Sequence, residues 1–569
     1  MNDFFLKRTR VIAFLLILTG LAIAARLFYL QIILNKTLSG LGDRQFKREV
    51  SEIGARGRIL DCSGEVLADS IVTWDIIVMK RELLPEQKTV ETLAKILKKN
   101  RLELEKKIRK AKNYVRIARK TEREVYDALS PLIAAGELKG VIMDPHQQRL
   151  YPSGTAREIT GLSNEEKGLT QIELIYDKYL KGSTRTKEVI RDAGGNAIYD
   201  GKERETREPS DIYLTIDNKI QFITQETVAK YARHNNSDLA IGLVQDPKTG
   251  RILAMASYPE NHINLKSVEW VYEPGSTFKT ITLSASLEEK TVSPKDVFYC
   301  ENGAWKFNSR TTIHDHEPEK DLTLAEVFEK SSNIGFAKIG MNLGIEKLYL
   351  YMKSFGFGSK TGLEFTGESR GLLRELRDYK PIDLAVTSYG HSIGVTPLQM
   401  INAYSAIAHK GLLLQPSVLD RIIDPASGDV LLKTEYREIR KAVSEEIAEK
   451  VTKMLVGVVD RGTGRKAQII GYSVAGKTGT SNKLDMKTGK YLEKQNVASF
   501  CGFFPASDPQ YTILIIMDNP KKFYYGGETA APAFAEIAKK IITLKNIKPD
   551  RPFNYKDAVK TSYSPTISD

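Results

Sequence analysis

Cysteine is scarce in this chain: Cys62, Cys300 and Cys501 are the only three in 569 residues, hundreds of positions apart. That spacing excludes a disulfide scaffold and any Cys-x-x-Cys metal site, and it leaves room for one bridge at most. Isolated thiols pack like small apolar side chains, so the expectation is three free cysteines, at least partly buried. A second long apolar run is also missing, which excludes a polytopic membrane protein. Internal repeats are missing too, which argues against a solenoid. Zinc-finger spacing and an aromatic single-strand platform are absent, and the basic excess behind the net charge of +13 is spread along the chain. Such a distribution suits attraction to anionic membrane or wall polymers, with no nucleic-acid partner.

What is present has an ordinary globular composition, 41% apolar and 27% charged. A single core stops growing at roughly 250 to 300 residues, so at least two folded units are expected. Residues 11–34 are apolar except for Arg26, Gln31 and a few small residues, about the length that spans a hydrocarbon core. Lys7, Arg8 and Arg10 precede this run, so the positive-inside rule keeps tail 1–10 in the cytoplasm and exports the rest. The competing reading is a cleaved signal peptide ending near Ala22-Ile23-Ala24, but apolar residues continue through Ile33.

Beyond the anchor, residues 35–210 are dense in charge, and 93–128 carry helically spaced Leu, Ile and Val among Lys and Arg, predicting a solvated helical face. Arg56-Gly57-Arg58-Ile59-Leu60-Asp61 and Gly64-x-Val66-Leu67-Ala68 predict two short strands around an Asp-x-x-Gly turn. The texture changes near Pro209. A strand at 212–216, a helix capped by Asp217 and running through Lys230, and two strands within 239–257 open a second domain, 211–545. Strands at 499–504 and 511–517 and a helix at 533–544 close it, so a sheet is built from distant segments. Residues 546–569, polar with several prolines, are expected to be poorly ordered.

The chemistry is concentrated in three motifs. Ser276 and Lys279 lie three apart in Glu273-Pro274-Gly275-Ser276-Thr277-Phe278-Lys279, so on a helix both side chains face the same way. The lysine can then take the serine's proton. A Ser-x-x-Lys match arises by chance roughly two or three times in a chain this long. Its setting carries more weight, because no charge follows Lys279 before Glu288, and a lone lysine in a buried helix is expensive without a role. Ser331-Ser332-Asn333 follows a helical stretch, and its hydroxyl and amide can hydrogen-bond substrate and Lys279; read alone, it is a helix cap. Val474-Ala475-Gly476-Lys477-Thr478-Gly479-Thr480 reads as a strand passing into glycine, where a peptide backbone or carboxylate can dock.

In their order and spacing these motifs resemble the class B penicillin-binding proteins, with Ser276/Lys279, Ser331/Asn333 and Lys477/Thr478/Gly479 on the family's three elements. The likeness covers nearly all of the exported chain, including Arg56-Gly57, Arg149-Leu150-Tyr151-Pro152, Leu214-Thr215-Ile216-Asp217, Val395-Thr396-Pro397-Leu398-Gln399 and Tyr524-Tyr525-Gly526-Gly527. Cys62-Ser63 and Gln171 depart from the family's pattern without touching the chemistry. The resemblance implies an α/β (α+β) protein with one transmembrane helix, an elongated β-containing pedestal, and a serine β-lactamase-like transpeptidase domain whose central, mostly antiparallel sheet is flanked by helices. It implies a D,D-transpeptidase that needs no cofactor or metal and is acylated by β-lactams. Lys279 would be general base, Ser331 a proton relay and Asn333 a peptide-orienting group, while Lys477, Thr478 and Thr480 would hold the terminal carboxylate. The N–H groups of Ser276 and Thr480 would form the oxyanion hole. Tyr272-Glu273-Pro274 and Ser331-Ser332-Asn333-Ile334-Gly335 resemble the division-type branch. The implied partners are stem peptides, a separate membrane glycosyltransferase and division-complex proteins.

Other readings compete. Gly390-His391-Ser392-Ile393-Gly394 matches the nucleophile-elbow pattern of hydrolases, although Thr396-Pro397 delays the helix an elbow needs. The segment from Gly471 to Thr478 satisfies the P-loop pattern with 513–518 as a Walker B strand, yet Tyr472 and Val474 read as strand and Thr478 is followed by a turn, Gly479-Thr480-Ser481-Asn482. A non-catalytic membrane sensor or scaffold with a penicillin-binding fold is a third class. His314-Asp315-His316 and His391 offer metal donors without a defined spacing.

Overall fold

The computed structural model describes residues 2–35, 37, 47–52, 56–83, 85–181, 185–191, 197–200, 208–260, 264–484 and 491–552. Two compact units divide the chain: 1–54 with 181–208, and 55–180 with 209–569. In the first unit, helix α1 (Asn2–Phe28) continues as a π-helical turn, and Lys7–Ile33 is long and apolar enough to cross a membrane. Strands Lys47–Glu52, Arg185–Arg191 and Ala197–Asp200 make an antiparallel sheet in the same unit.

The second unit begins with β1 (Ile59–Leu60) and β2 (Val66–Met79), joined by the expected turn, in which the Asp61 carboxylate accepts the N–H groups of Ser63 and Glu65. Residues 93–128 correct the helical expectation. Helices Glu86–Ile96 and Arg101–Lys110 are followed by strand β3 (Tyr114–Thr121), and a helix resumes at Arg123. Tyr114, Val115 and Ile117 favour extended backbone, and β3 finds a partner in β2, so tertiary pairing overrides the helical spacing. β4 (Val141–Leu150) pairs with the other edge of β2 over ten residues. Trp74, Ile76, Leu93, Leu104, Ile117 and Leu129 form a local core here, whereas Ile59, Leu67, Ile159 and Ile172 join the main core of the unit.

β5 (Asp211–Leu214) runs parallel to β1 and leads into α2 (Asn218–Asn235), capped by Asp217 through the N–H groups of Lys219 and Ile220. Among the described residues five strands form the central sheet. These are β6 (Leu239–Gln245), β7 (Ile252–Tyr258), β10 (Ala475–Leu484), β11 (Tyr491–Phe504) and β12 (Tyr511–Asp518). Their order is β7-β6-β12-β11-β10 and every pairing is antiparallel, the arrangement expected of late strands returning beside early ones. Strands β8 (Leu419–Ile423) and β9 (Val430–Lys433) extend the other sheet, β8 pairing with β5.

Five helices of this unit carry or support the sequence motifs: α3 (Lys279–Glu288), α4 (Asn333–Leu343), α5 (Pro397–Ala408), α6 (Glu445–Asp460) and α7 (Gly526–Lys545). α3 and α5 are buried nearly all round, while α7 lies against α2 and the sheet. α7 begins seven residues before the expected start and carries Pro532 in its second turn. The tail expected from residue 546 opens with packed residues instead: Ile547 is buried, the Asp550 carboxylate accepts the Ser473 N–H at 2.7 Å, and Arg551 pairs with Asp460 at 2.9 Å. Residues 553–569 lie outside the described residues. The three cysteines are free, Cys300 and Cys501 buried and Cys62 half-buried.

Candidate active site

Gly479 and Gly275 let two backbones meet. β10 lies at the edge of the central sheet, and the turn carrying Ser276 lies against it. A Cβ at Gly479 would stand 2.9 Å from the Pro274 carbonyl oxygen and 3.0 Å from Thr277 Cγ2. Gly275 adopts φ +55°, and a Cβ there would stand 2.9 Å from the Thr480 oxygen. A side chain at either position would wedge the strand from the turn. Ser481 Oγ completes the contact by donating to the Glu273 carbonyl at 2.7 Å.

Ser276 sits in a 3₁₀ turn, Gly275–Phe278, that runs directly into α3. Its neighbours Gly275, Thr277 and Phe278 are buried and Ser276 is half-buried, so the hydroxyl is the turn's accessible group. Thr277 Oγ1 donates to the Pro274 carbonyl at 2.8 Å, and Tyr404 Oη, from α5, donates to the Thr277 carbonyl at 2.9 Å. One turn on, Lys279 is fully buried. Its Nζ donates to the Ser331 carbonyl at 2.6 Å, to Asn333 Oδ1 at 2.8 Å and to Ser331 Oγ at 3.1 Å. Lys477, also fully buried, donates to the same Ser331 hydroxyl at 2.8 Å and to the Thr478 carbonyl at 3.3 Å. Side chains of all three motifs thus meet at Ser331.

Ser331 holds φ +61°, a left-handed conformation that costs a non-glycine residue about 1–2 kcal/mol. In that conformation its carbonyl and its hydroxyl both reach Lys279. Two buried amino groups thus share one hydroxyl. Burial pulls Lys279 down to about 7, opposed by the Asp315 carboxylate. Lys477 is held well below the usual lysine range, first by burial and then by the Lys279 charge. Neutral lysine is a base, so the site holds a proton acceptor one turn from a half-buried serine hydroxyl.

Asp315 is a positioning group that the sequence does not reveal. In the sequence it stands with His314 and His316 as a metal donor, yet its carboxylate accepts Ser332 Oγ at 2.6 Å and the Ile334 N–H at 2.9 Å. There it caps α4 together with Ser332, whose hydroxyl accepts the Gly335 N–H, and fixes the helix start that presents Asn333. His314 contributes its carbonyl to Asn333 Nδ2 at 3.0 Å, and His316 Nδ1 lies 3.1 Å from Tyr525 Oη. Among the described residues no group of three metal donors is assembled. Thr478 and Thr480 are both on β10. The Thr478 hydroxyl pairs with that of Thr463 at 2.7 Å, and Thr480 Oγ1 accepts the Gly526 N–H at 3.2 Å, which leaves its own proton free to donate.

Neither rival motif has the structure its chemistry needs. Lys477 and Thr478 lie inside a strand that runs on to Leu484: pairing with β11 replaces the turn expected at 479–482, and the helix a P-loop requires is not there. Ser392 takes φ +58°, but the next helix begins only at Pro397.

The penicillin-binding protein transpeptidase domain matches residues 240–539, more than half of the chain, and the penicillin-binding protein dimerisation domain matches 51–214. The chain belongs to the penicillin-binding transpeptidase family. Among its relatives is stage V sporulation protein D of Bacillus subtilis, 34% identical over 95% of this chain and 86% of that protein. Peptidoglycan D,D-transpeptidase FtsI of Escherichia coli is 28% identical over 94% of this chain and 91% of its own length. In structure the chain is similar to penicillin-binding protein 3 of Mycobacterium tuberculosis, solved with aztreonam, with a TM-score of 0.67, 26% identity, and 89% of this chain and 99% of that one covered. Together these place the chain among class B penicillin-binding proteins of the division type.

Proposed function

We propose that the protein is a peptidoglycan D,D-transpeptidase working through a Ser276 acyl-enzyme. The observation that carries this reading is the pair of buried lysines sharing the Ser331 hydroxyl, one of them a turn away from Ser276. Ser276 Oγ attacks the penultimate D-alanine carbonyl of a stem peptide while Lys279 Nζ takes its proton. Ser331 relays that proton to the departing D-alanine amine. The N–H groups of Ser276 and Thr480 hold the oxyanion, Asn333 orients the peptide, and Lys477 with Thr478, Gly479 and Thr480 receives its carboxylate. A second stem's amine then takes the acyl group, and β-lactams stop the cycle by acylating the same serine. A fluorescent-penicillin gel tests this: wild type takes the label and Ser276→Ala does not, and equal labelling of the two would overturn the assignment.

This reading divides the chain into tail 1–10, anchor 11–34, pedestal 35–210, transpeptidase domain 211–545 and tail 546–569. Lys7, Arg8 and Arg10, in α1 ahead of its apolar stretch, put the N-terminus in the cytoplasm and the catalytic domain outside the bacterial inner membrane. Glycan strands come from a separate membrane glycosyltransferase, so purified chain alone leaves lipid-linked precursor unpolymerised. The likeness around Tyr272 and Ser331 to the division-type branch points to septal wall synthesis with division-complex proteins, and depletion produces filaments. The name of the Bacillus relative supports a second reading, wall synthesis in a sporulating cell, which a defect confined to sporulation would favour.

A further inference from the structure

Transpeptidation handles two peptides, and the residues gathered around Ser276 and Ser331 serve the first. A second open space borders the segment just upstream of the Ser276 turn: a cleft of about 820 Å³ lined by Trp270, Glu273, Lys353, Arg370, Glu375 and Tyr491, among others. That volume suits a peptide side branch. It reaches Asn482 and Lys483, farther along β10 than Thr480. Glu273, three residues before the nucleophile, is nearly buried. Its carboxylate accepts the Ser392 N–H at 2.8 Å and Tyr491 Oη at 3.1 Å, and lies 3.1 Å from His391 Nδ1. His391 therefore has one ring nitrogen fixed toward a carboxylate. Its Nε2 takes no hydrogen bond among the described residues, and the side chain is 21% exposed. The preceding carbonyl, of Gly390, accepts the Gly275 N–H at 3.0 Å, which sets His391 beside the nucleophile turn.

A carboxylate that orients an imidazole whose far nitrogen is open is an arrangement for taking a proton. The lining carries Lys353, Arg370, Arg374 and Lys483 against Glu273 and Glu375, a cationic balance that suits a ligand anionic apart from its amine. Resting on the transpeptidase reading, we propose that this cleft seats the acceptor stem peptide and that His391, oriented by Glu273, accepts the first proton of its ammonium group. The freed amine attacks the ester carbonyl carbon on Ser276, forming a C–N bond as the C–Oγ bond breaks. The second proton leaves the attacking nitrogen through Lys279 and restores the Ser276 hydroxyl, while His391 returns its proton to water.

The test separates the two half-reactions in the full chain held in detergent. Labelled penicillin measures acylation, and a small thioester donor with a synthetic amine-bearing stem peptide measures transfer against hydrolysis. His391→Gln should lower transfer by at least about tenfold more than acylation. Lys353→Ala with Arg370→Ala should raise the acceptor KM and leave the donor KM unchanged. Normal transfer by His391→Gln would overturn the proposal. So would equal losses in both half-reactions, which would make His391 a support for the turn alone. A wild-type chain that takes no penicillin at Ser276 would sink the transpeptidase reading itself, whereas labelling with unaffected transfer removes only the acceptor assignment.

Discussion

Lys279 can take the Ser276 proton only after losing its own, and a free lysine does so near pH 10.4. With burial holding it at about 7, acylation of Ser276 by a β-lactam should climb about tenfold per pH unit below that value and level off above it. Labelling rates between about pH 5 and 9 measure this, and a midpoint near that of free lysine would remove Lys279 from the role. The same shift acts on stability. Between about 7 and 10.4 the unfolded chain binds more protons at this lysine than the folded one, so the site's contribution to stability rises with pH across that window. Lys279→Arg should abolish acylation, because guanidinium keeps its proton. Asp315→Asn makes a sharper test. The Asp315 charge is the influence that opposes burial at Lys279, so removing it should move the acylation midpoint to lower pH. The lost cap on α4 should cost about 1 kcal/mol of stability as well. An unmoved or raised midpoint would mean that the two groups are not electrostatically linked.

At the scale of elements, the site depends on β10 and the nucleophile turn lying at backbone contact. Gly479→Ala should therefore destabilise by about 1–3 kcal/mol and depress acylation severely, since the methyl group meets both Ser499 Oγ on β11 and the Pro274 carbonyl. Thermal unfolding and penicillin labelling measure the two effects, and near-normal labelling would show that the strand can retreat without loss. Ser276, Lys279, Ser331, Asn333 and the Lys477 strand could be read from the sequence because each motif is local and the motif order is informative. Asp315 could not: its carboxylate meets the N–H groups of Asn333 and Ile334 from a segment folded back from eighteen residues upstream. Strand β3 was hidden for a related reason, since residues 114–121 have a helix-compatible spacing and become a strand through pairing with β2. The His391–Glu273 pair was equally illegible, because its partners are over a hundred positions apart.

Across the whole molecule, distant motifs serve as ties. Arg56, Arg149 and Glu173 come from three separated segments, and the Glu173 side chain, fully buried, accepts Arg56 Nε at 2.9 Å and Arg149 Nε at 2.7 Å. Glu173→Ala would leave two guanidinium groups buried without that carboxylate, which should cost about 3–5 kcal/mol, read as a lower thermal midpoint. The other whole-chain tie is to the membrane, and two forces could supply it. The net charge of +13 attracts the chain to anionic surfaces, but exposed charges are screened within about 10 Å at 0.1 M salt. The apolar helix acts differently: Phe14, Leu16, Ile17, Leu21 and Ile32 are each 63–69% exposed, and removing such side chains from water is worth roughly 1.5–3 kcal/mol apiece whatever the salt. Summed over Lys7–Ile33, that term exceeds what scattered lysines retain under screening. The full chain should therefore stay in the membrane fraction through a 1 M salt wash, where the screening length is about 3 Å, and leave it only with detergent. Release by salt alone would mean that charge holds it. Release of a shortened chain beginning near Ala25 would mean that the helix is a cleaved signal and that the catalytic domain acts unanchored.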